Sequence, residues 1–181
     1  MPSGRDQQID RLRGLVRSVP DFPREGICFR DATPLFADPA GLASAVDLLA
    51  ADLADLGPVD IVLGAEARGF VLGPALALRL GAGFVPARRE GKLPAATVRE
   101  VYELEYGAAE LHVHSDAIGP GTRVVVHDDL IATGGTAAAL TAIVERLGGE
   151  VVAYAFLIEL TDLRGRERLA APVQALIGFS A

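Results

Sequence analysis

The stretch VVVHDDLIATGGT, residues 124–136, runs a β-branched segment into two adjacent acids, Asp128 and Asp129. A short turn follows, Ala132-Thr133-Gly134-Gly135-Thr136, and opens onto an apolar-periodic segment. Such a turn suits a phosphate monoester. Glycines let the backbone approach the anion, free N–H groups point at it, and a helix N-terminus adds a favourable partial charge. The threonine hydroxyls add donors. No lysine follows the glycines, so this is not the P-loop of NTP-binding proteins. The acids repel a phosphate and would better grip hydroxyls, for which the 2′- and 3′-OH groups of a ribose are candidates. A solvated acidic turn is the plain alternative, but two acids followed by ATGGT form a more specific pattern than that reading needs.

Two other segments carry charged residues at places where an apolar run stops. In Gly64-Ala65-Glu66-Ala67-Arg68-Gly69-Phe70, glycines flank a Glu and an Arg. Arg68 offers a planar fork of donors matched to a pyrophosphate; on residue types alone, a surface ion pair explains the segment equally well. Arg88-Arg89-Glu90-Gly91-Lys92 then clusters three cations in an acidic protein. A solvated basic loop is the alternative there. Residues 91–110 are polar, bracketed by Gly91 and Gly107, and fit a mobile lid that excludes water on closing. They hold two carboxylates, Glu103 and Glu105, for acid/base work. Alternate residues of an extended stretch point the same way, so spacing does not separate the two.

The elements that must position these groups follow from periodicity. Residues 5–17 read as a short amphipathic helix with Ile9, Leu12 and Val16 on one face. The passage VPDFPREGICFRDATPLFADP reads as an ordered, extended loop. Asp38-Pro39 looks like an N-cap followed by proline in the first turn, opening a helix with Leu42, Val46, Leu49, Leu53 and Leu56 on one stripe and ended by Gly57-Pro58. The chain then alternates: strand 59–64, helix 69–80, strand 83–88, the polar 91–115 segment, strand 122–127, helix 136–147, and strands 151–160 and 173–179. Fully apolar strands separated by helices imply a parallel sheet covered on both faces. Ligands of such sheets bind beyond the carboxyl ends of the strands, where all three charged segments fall.

Composition narrows the function classes. The 181 residues suit one domain, and half are hydrophobic, many of them Ala. A formal net charge of −7 argues against a nucleic-acid partner, which needs a basic face. The single cysteine, Cys28, excludes an internal disulfide framework and suits a reducing, cytoplasmic setting. It reads as a small semi-apolar residue, not a nucleophile. The N-terminal residues lack the apolar core of a signal peptide, and residues 70–80 are too short and too interrupted to span a membrane. His112 and His114 read as solvent-facing.

Taken together, segment 124–136 resembles the motif with which type I phosphoribosyltransferases bind phosphoribosyl pyrophosphate (PRPP). The resemblance implies that Asp128 and Asp129 hold the ribose hydroxyls, and that Ala132, Thr133, Gly134, Gly135 and Thr136 hold the 5′-phosphate. Arg68-Gly69-Phe70 is similar to a segment of the adenine phosphoribosyltransferases, which implies pyrophosphate contact by Arg68 and a non-proline cis peptide at Glu66-Ala67. Those enzymes more often carry Ser at the position of Ala67, so a hydroxyl contact is lost here. Arg88, Arg89 and Lys92 are assigned to PRPP on the same basis, with Glu90 standing where relatives have Pro or a basic residue. Leu104-Glu105-Tyr106-Gly107 resembles the lid signature of that family and selects Glu105 over Glu103 as general acid/base. Cys28-Phe29-Arg30-Asp31 resembles its Phe-Arg-Asp segment. Phe29 would stack on the purine, and backbone groups at Cys28 and Arg30 would read the adenine edge. His127 stands where an apolar residue is usual.

The resemblance runs from Val19 to about Arg168. It implies the α/β type I phosphoribosyltransferase fold in one domain spanning 1–181: a mostly parallel central sheet flanked by helices, a small hood from about 19–36, and a flexible catalytic loop at about 91–110. It further implies formation of AMP and pyrophosphate from adenine and PRPP, a purine-salvage step, with Mg²⁺ held mainly by PRPP and not by a protein metal cage, and a homodimer. Two alternatives stand beside it. A phosphoribosyltransferase for another nucleobase is opposed by the lid and the Phe-Arg-Asp segment. A PRPP-binding regulator without turnover needs an effector module, for which the residues ahead of Val19 are too few.

Overall fold

The computed structural model describes residues 3–103 and 108–180. Helix α1, Gly4–Gly14, is held at its start by a reciprocal cap: Ser3 Oγ accepts from Asp6 N–H and the Asp6 carboxylate accepts from Ser3 N–H. The expected helix over 5–17 is therefore shorter. Gly14 ends it, and Arg17–Val19 forms a strand, β1, that pairs antiparallel with β2, Phe29–Asp31. The passage expected to be an extended loop thus contains β2 and a one-turn helix, α2, Thr33–Ala37, beside its turns. Helix α3, Pro39–Asp52, starts as the sequence predicts, with the Asp38 carboxylate accepting from Gly41 N–H at 2.7 Å.

Beyond Gly57, five of the described strands build the central sheet: β3, Ile61–Ala65; β4, Gly83–Ala87; β7, Arg123–Ile131; β8, Glu150–Leu160; and β9, Val173–Phe179. They form one all-parallel sheet in the order β4-β3-β7-β8-β9. Helix α4, Gly69–Leu80, follows β3, and α5, Gly135–Arg146, follows β7. Both faces of the sheet are covered, which explains why the strands are apolar without alternation. Val62 and Val125 pack with α3 and α4 around Leu49, Leu72 and Leu76, while Leu63, Val124 and Val126 pack with α5 around Leu140, Ile143 and Phe156.

Two segments depart from expectation. β7 does not stop at His127 but continues through both acids to Ile131, because β8 pairs with it as far as Glu159. The segment expected to be a polar loop is, in its described part, an antiparallel hairpin of β5, Thr97–Glu103, and β6, Ala108–His114. Leu111 and Val113 are buried under it, and Arg146 of α5 ties it down by hydrogen-bonding the Arg99 carbonyl at 2.6 Å and pairing with Glu100. His112 and His114 are accordingly half-buried in β6 and not solvent-facing: His112 Nδ1 lies 2.9 Å from Thr97 Oγ and Nε2 lies 2.7 Å from the Glu110 carboxylate. Among the described residues, no helix is long and apolar enough to cross a membrane.

Candidate active site

The strand order reverses between β3 and β7: from β3 the chain turns outward to β4, and β7 enters on the other side. Their helices leave to opposite faces of the sheet, so a crevice opens beyond the two strand ends. A cleft of about 610 Å³ lies there. One wall is Asp128 and residues 130–137 of β7, its turn and α5; the other is Pro23, Arg24 and Ile27 of the loop between β1 and β2, with Arg68 and, from the hairpin, Tyr102.

The turn leaves a helix N-terminus open to the cleft. Gly134 caps α5 in the left-handed conformation, φ 81°, and no side chain caps the first-turn N–H groups. The N–H groups of Gly135, Thr136 and Ala137, which lack helical partners by their place in the first turn, border the cleft at the positive end of the helix dipole. The turn is braced from behind by a loop the sequence did not mark. A Cβ on Gly134 would lie 2.5 Å from the Gly165 carbonyl oxygen, and one on Gly165 would lie 2.2 Å from the Ala132 carbonyl oxygen. Two backbones cross there with no room for a side chain. The bracing loop is held in turn by Arg166, whose Nε donates to buried Glu159 at 2.6 Å as one arm of a two-pronged pair. The local signal was only a glycine between two arginines, Arg164 and Arg166.

The acids sit deeper. Asp129 is buried, and its carboxylate meets Arg68 Nε at 3.2 Å. Asp128 faces the cleft and accepts from Asp129 N–H at 2.8 Å. Burial pushes the Asp128 carboxyl well up, and the neighbouring Asp129 charge pushes it further; burial raises Asp129 too, against the pull of Arg68. The N-terminus of α4 comes close to this pair: a Cβ on Gly69 would lie 3.0 Å from the His127 carbonyl and 3.2 Å from the Asp128 carboxylate. His127 itself is fully buried between β3 and β8. One ring nitrogen, Nδ1, lies 2.9 Å from the Ala155 carbonyl, and burial lowers its pKa to about 4, so the ring is neutral.

Arg68 spans the site. Its guanidinium meets Asp129 and also lies over the Phe29 ring, 5.2 Å from the centroid. Phe29 is edge-on to Phe22 and does not line the cleft. The peptide Glu66-Ala67, just before Arg68, is cis. Arg88, Arg89 and Lys92 stand beside the cleft and not in its wall. Arg88 Nε donates to Glu66 at 2.6 Å, Arg89 N–H donates to the same carboxylate at 3.2 Å, and Lys92 is exposed on the following turn. The Arg88 hydrogen bond holds the Glu66 carboxyl below the usual carboxylate range. The Arg30 side chain turns away towards β9, leaving the backbone of residues 28–30 as its contribution on the hood side. Glu105 lies outside the described residues. Sequence reasoning passed over Pro23, Arg24, Ile27 and Tyr102, which line the cleft although each reads locally as loop or strand filler. Among the described residues, no three His, Cys, Asp or Glu side chains converge as metal ligands.

The profile of a phosphoribosyl transferase domain matches residues 36–174. The chain is 55% identical over 158 residues to the adenine phosphoribosyltransferase of Synechococcus sp. strain JA-3-3Ab, covering 87% of this chain and 90% of that one. It is 54% identical over 171 residues to the enzyme of that name from Dinoroseobacter shibae, covering 93% and 95%. The chain belongs to the adenine phosphoribosyltransferase family. Solved structures agree. The adenine phosphoribosyltransferase of Rhodothermus marinus superposes with a TM-score of 0.90 at 49% identity, over 96% of this chain and 99% of that one. The Saccharomyces cerevisiae adenine phosphoribosyltransferase, solved with an imino-altritol bisphosphate and adenine, gives 0.91 at 40%, over 94% and 99%. The sheet described above is thus the type I fold of adenine phosphoribosyltransferases, and neither a different nucleobase nor a regulatory role is favoured by these relatives.

Proposed function

We propose that this member of the family is a pentosyl-transferring glycosyltransferase of purine salvage, moving the 5-phosphoribosyl group of PRPP onto N9 of adenine. The observation that carries the reading is the α5 N-terminal turn and Asp128 on one wall of a single cleft, facing Arg68 and the 23–27 loop on the other. The 5′-phosphate takes the N–H groups and hydroxyls of Thr133 to Thr136. The ribose hydroxyls take Asp128 and Asp129, where a donor to each acid relieves the burial that raises them. In the step itself the C1′–O bond to pyrophosphate breaks, with the electron pair leaving on pyrophosphate, and N9 forms the new bond to C1′. The Glu105 carboxylate, assigned through the lid signature, lies near N7, stabilises the tautomer whose N9 carries the attacking lone pair, and takes up the proton that adenine loses. Arg68 neutralises the leaving group, helped by Arg88, Arg89 and Lys92.

Adenine lies against the hood. Phe29 offers a ring face, and one C=O and one N–H from the backbone of Cys28 and Arg30 match the C6 amino group and N1, an edge that hypoxanthine inverts. Mg²⁺ fits this site as a passenger on substrate oxygens, since Asp128 in the cleft wall and the diphosphate are the kinds of ligand it accepts with its waters. When bound, it would spread the charge of the diphosphate. A homodimer formed through the outer face of α4, where Val71 and Leu78 are exposed, and a cytoplasmic location complete the proposal.

The test is product formation from PRPP and Mg²⁺ with adenine, hypoxanthine, guanine, xanthine and orotate in parallel. AMP from adenine alone is the expected result. Turnover of another base instead would remove the pocket assignment, and PRPP binding without turnover of any base would remove the enzyme.

A further inference from the structure

The hood strand that carries the base-reading backbone is too small to hold its own position. β1 and β2 pair over only three residues, and a two-stranded ribbon of that length has little independent stability. Besides Arg68 over the Phe29 ring and the buried flanking residues Val16 and Ala32, the Arg30 side chain ties it to the far edge of the central sheet. Its guanidinium donates to Ser18 Oγ at 2.5 Å and to the Ser180 carbonyl at 2.9 Å, and it lies over the Phe179 ring, 4.5 Å from the centroid. Phe179 is the last residue of β9, at the edge of the central sheet, and is itself fixed: its carbonyl accepts from Thr161 Oγ at 3.2 Å. Arg13 of α1 lies 5.6 Å from the same ring and donates to the Gly178 carbonyl at 2.6 Å. One ring therefore meets two guanidinium groups, one from the hood and one from the first helix.

We propose that Phe179, acting through Arg30, is a positioning residue that sets the register of the adenine-reading backbone at residues 28–30 and so determines affinity for the nucleobase without touching either substrate. The proposal rests on the reading of Cys28, Phe29 and Arg30 as the nucleobase pocket. The geometry separates the two substrates: the ring lies beyond the Arg30 side chain, which points away from the cleft, whereas the phosphate turn is braced by Gly165 and Arg166. A flat polarisable ring suits a guanidinium face in a way an aliphatic side chain of similar bulk does not.

The experiment is steady-state kinetics of Phe179→Leu, Phe179→Tyr and Phe29→Leu, with melting temperatures for each. Phe179→Leu should raise KM for adenine by about 5- to 10-fold, the size of one lost cation–π contact, at unchanged KM for PRPP and nearly unchanged kcat. Phe179→Tyr, which keeps the ring face, should behave as the unaltered protein. Unchanged adenine KM in Phe179→Leu beside a raised one in Phe29→Leu overturns the positioning role and leaves the pocket intact. Unchanged adenine KM in both variants removes the pocket and the proposal with it. Equal increases in both KM values, or a Tyr variant as impaired as the Leu variant, overturn it as well. If Phe179→Leu does not fold, Thr161→Val decides: loss of the hydroxyl that holds the Phe179 carbonyl must raise the adenine KM and spare the PRPP KM, and no effect, or equal effects on both, overturns the proposal.

Discussion

At the scale of single residues, Asp128 and Asp129 show how burial sets up a ligand site. Two carboxylates pushed up by the same low-dielectric surroundings need donors, and Arg68 serves only one of them. Asp128→Asn should therefore weaken PRPP by about tenfold, the worth of one hydrogen bond to a charged group, as read by titration calorimetry with PRPP and Mg²⁺. An unaltered affinity would end the ribose reading. Glu105→Gln should lower kcat by about 10²- to 10⁴-fold with PRPP binding intact, the usual range for a lost acid/base group. His127 works on stability instead. Its pKa falls from 6.5 unfolded to about 4 folded, so between those values the unfolded chain binds a proton that the native state refuses. His127 therefore contributes a loss of stability of about 3 kcal/mol as pH drops through that window, opposed by Asp128 and Asp129, whose raised carboxyls take up protons earlier in the folded state. Denaturant midpoints from pH 7 to 4.5 should show this acid limb, and His127→Val should flatten it.

At the scale of elements, the helices and central strands were readable because each carries a long apolar period and a chemical stop. α4 ends at Gly81, whose φ of 68° supplies the turn, and β9 falls where the apolar run predicts. The hairpin was not readable. β5 alternates weakly because Glu100, tied to Arg146, shares a face with Val98 and Tyr102 and Val101 shares the face of Arg99, whereas Glu110 to His114 in β6 do alternate but form too short a run beside residues 104–107 to stand out. β1 and β2 were missed because three residues are too few for a period to show. The turn at 132–136 was legible as a glycine-rich helix entry, and it does line the cleft, but its brace was not legible, since a backbone crossing between Gly134 and Gly165 leaves no local signature. That crossing carries its own prediction. Gly165→Ala puts a Cβ against the Ala132 carbonyl, so the turn must shift, and PRPP affinity should fall about tenfold or more while the secondary structure seen by circular dichroism persists.

For the molecule as a whole, the parallel sheet places every strand's carboxyl end on one side, so the site collects residues far apart in sequence without any of them leaving its own element. The opposite pole is free of those demands. There Arg123 simply closes the chain, donating to the carbonyls of Leu56 and Pro58 at 2.7 Å each. The outer face of α4 is different: Leu78 is 82% exposed and Val71 lies two turns away on the same side, the face through which the homodimer is proposed. If the proposed homodimer forms, Leu78→Lys should shift sedimentation velocity from dimer towards monomer; a dimer untouched by this change would place the contact elsewhere, and a monomeric unaltered protein would remove the homodimer.

The guanidinium resting on Phe29 has a consequence for inhibitors. A flat heterocycle cannot take the ring face under Arg68 until that guanidinium has been drawn off, and the diphosphate is the group with the charge to draw it. Adenine mimics should therefore bind in proportion to occupancy by pyrophosphate or PRPP. In initial-rate plots they should appear uncompetitive against PRPP and competitive against adenine, and a screen run on the empty protein would pass over most of them.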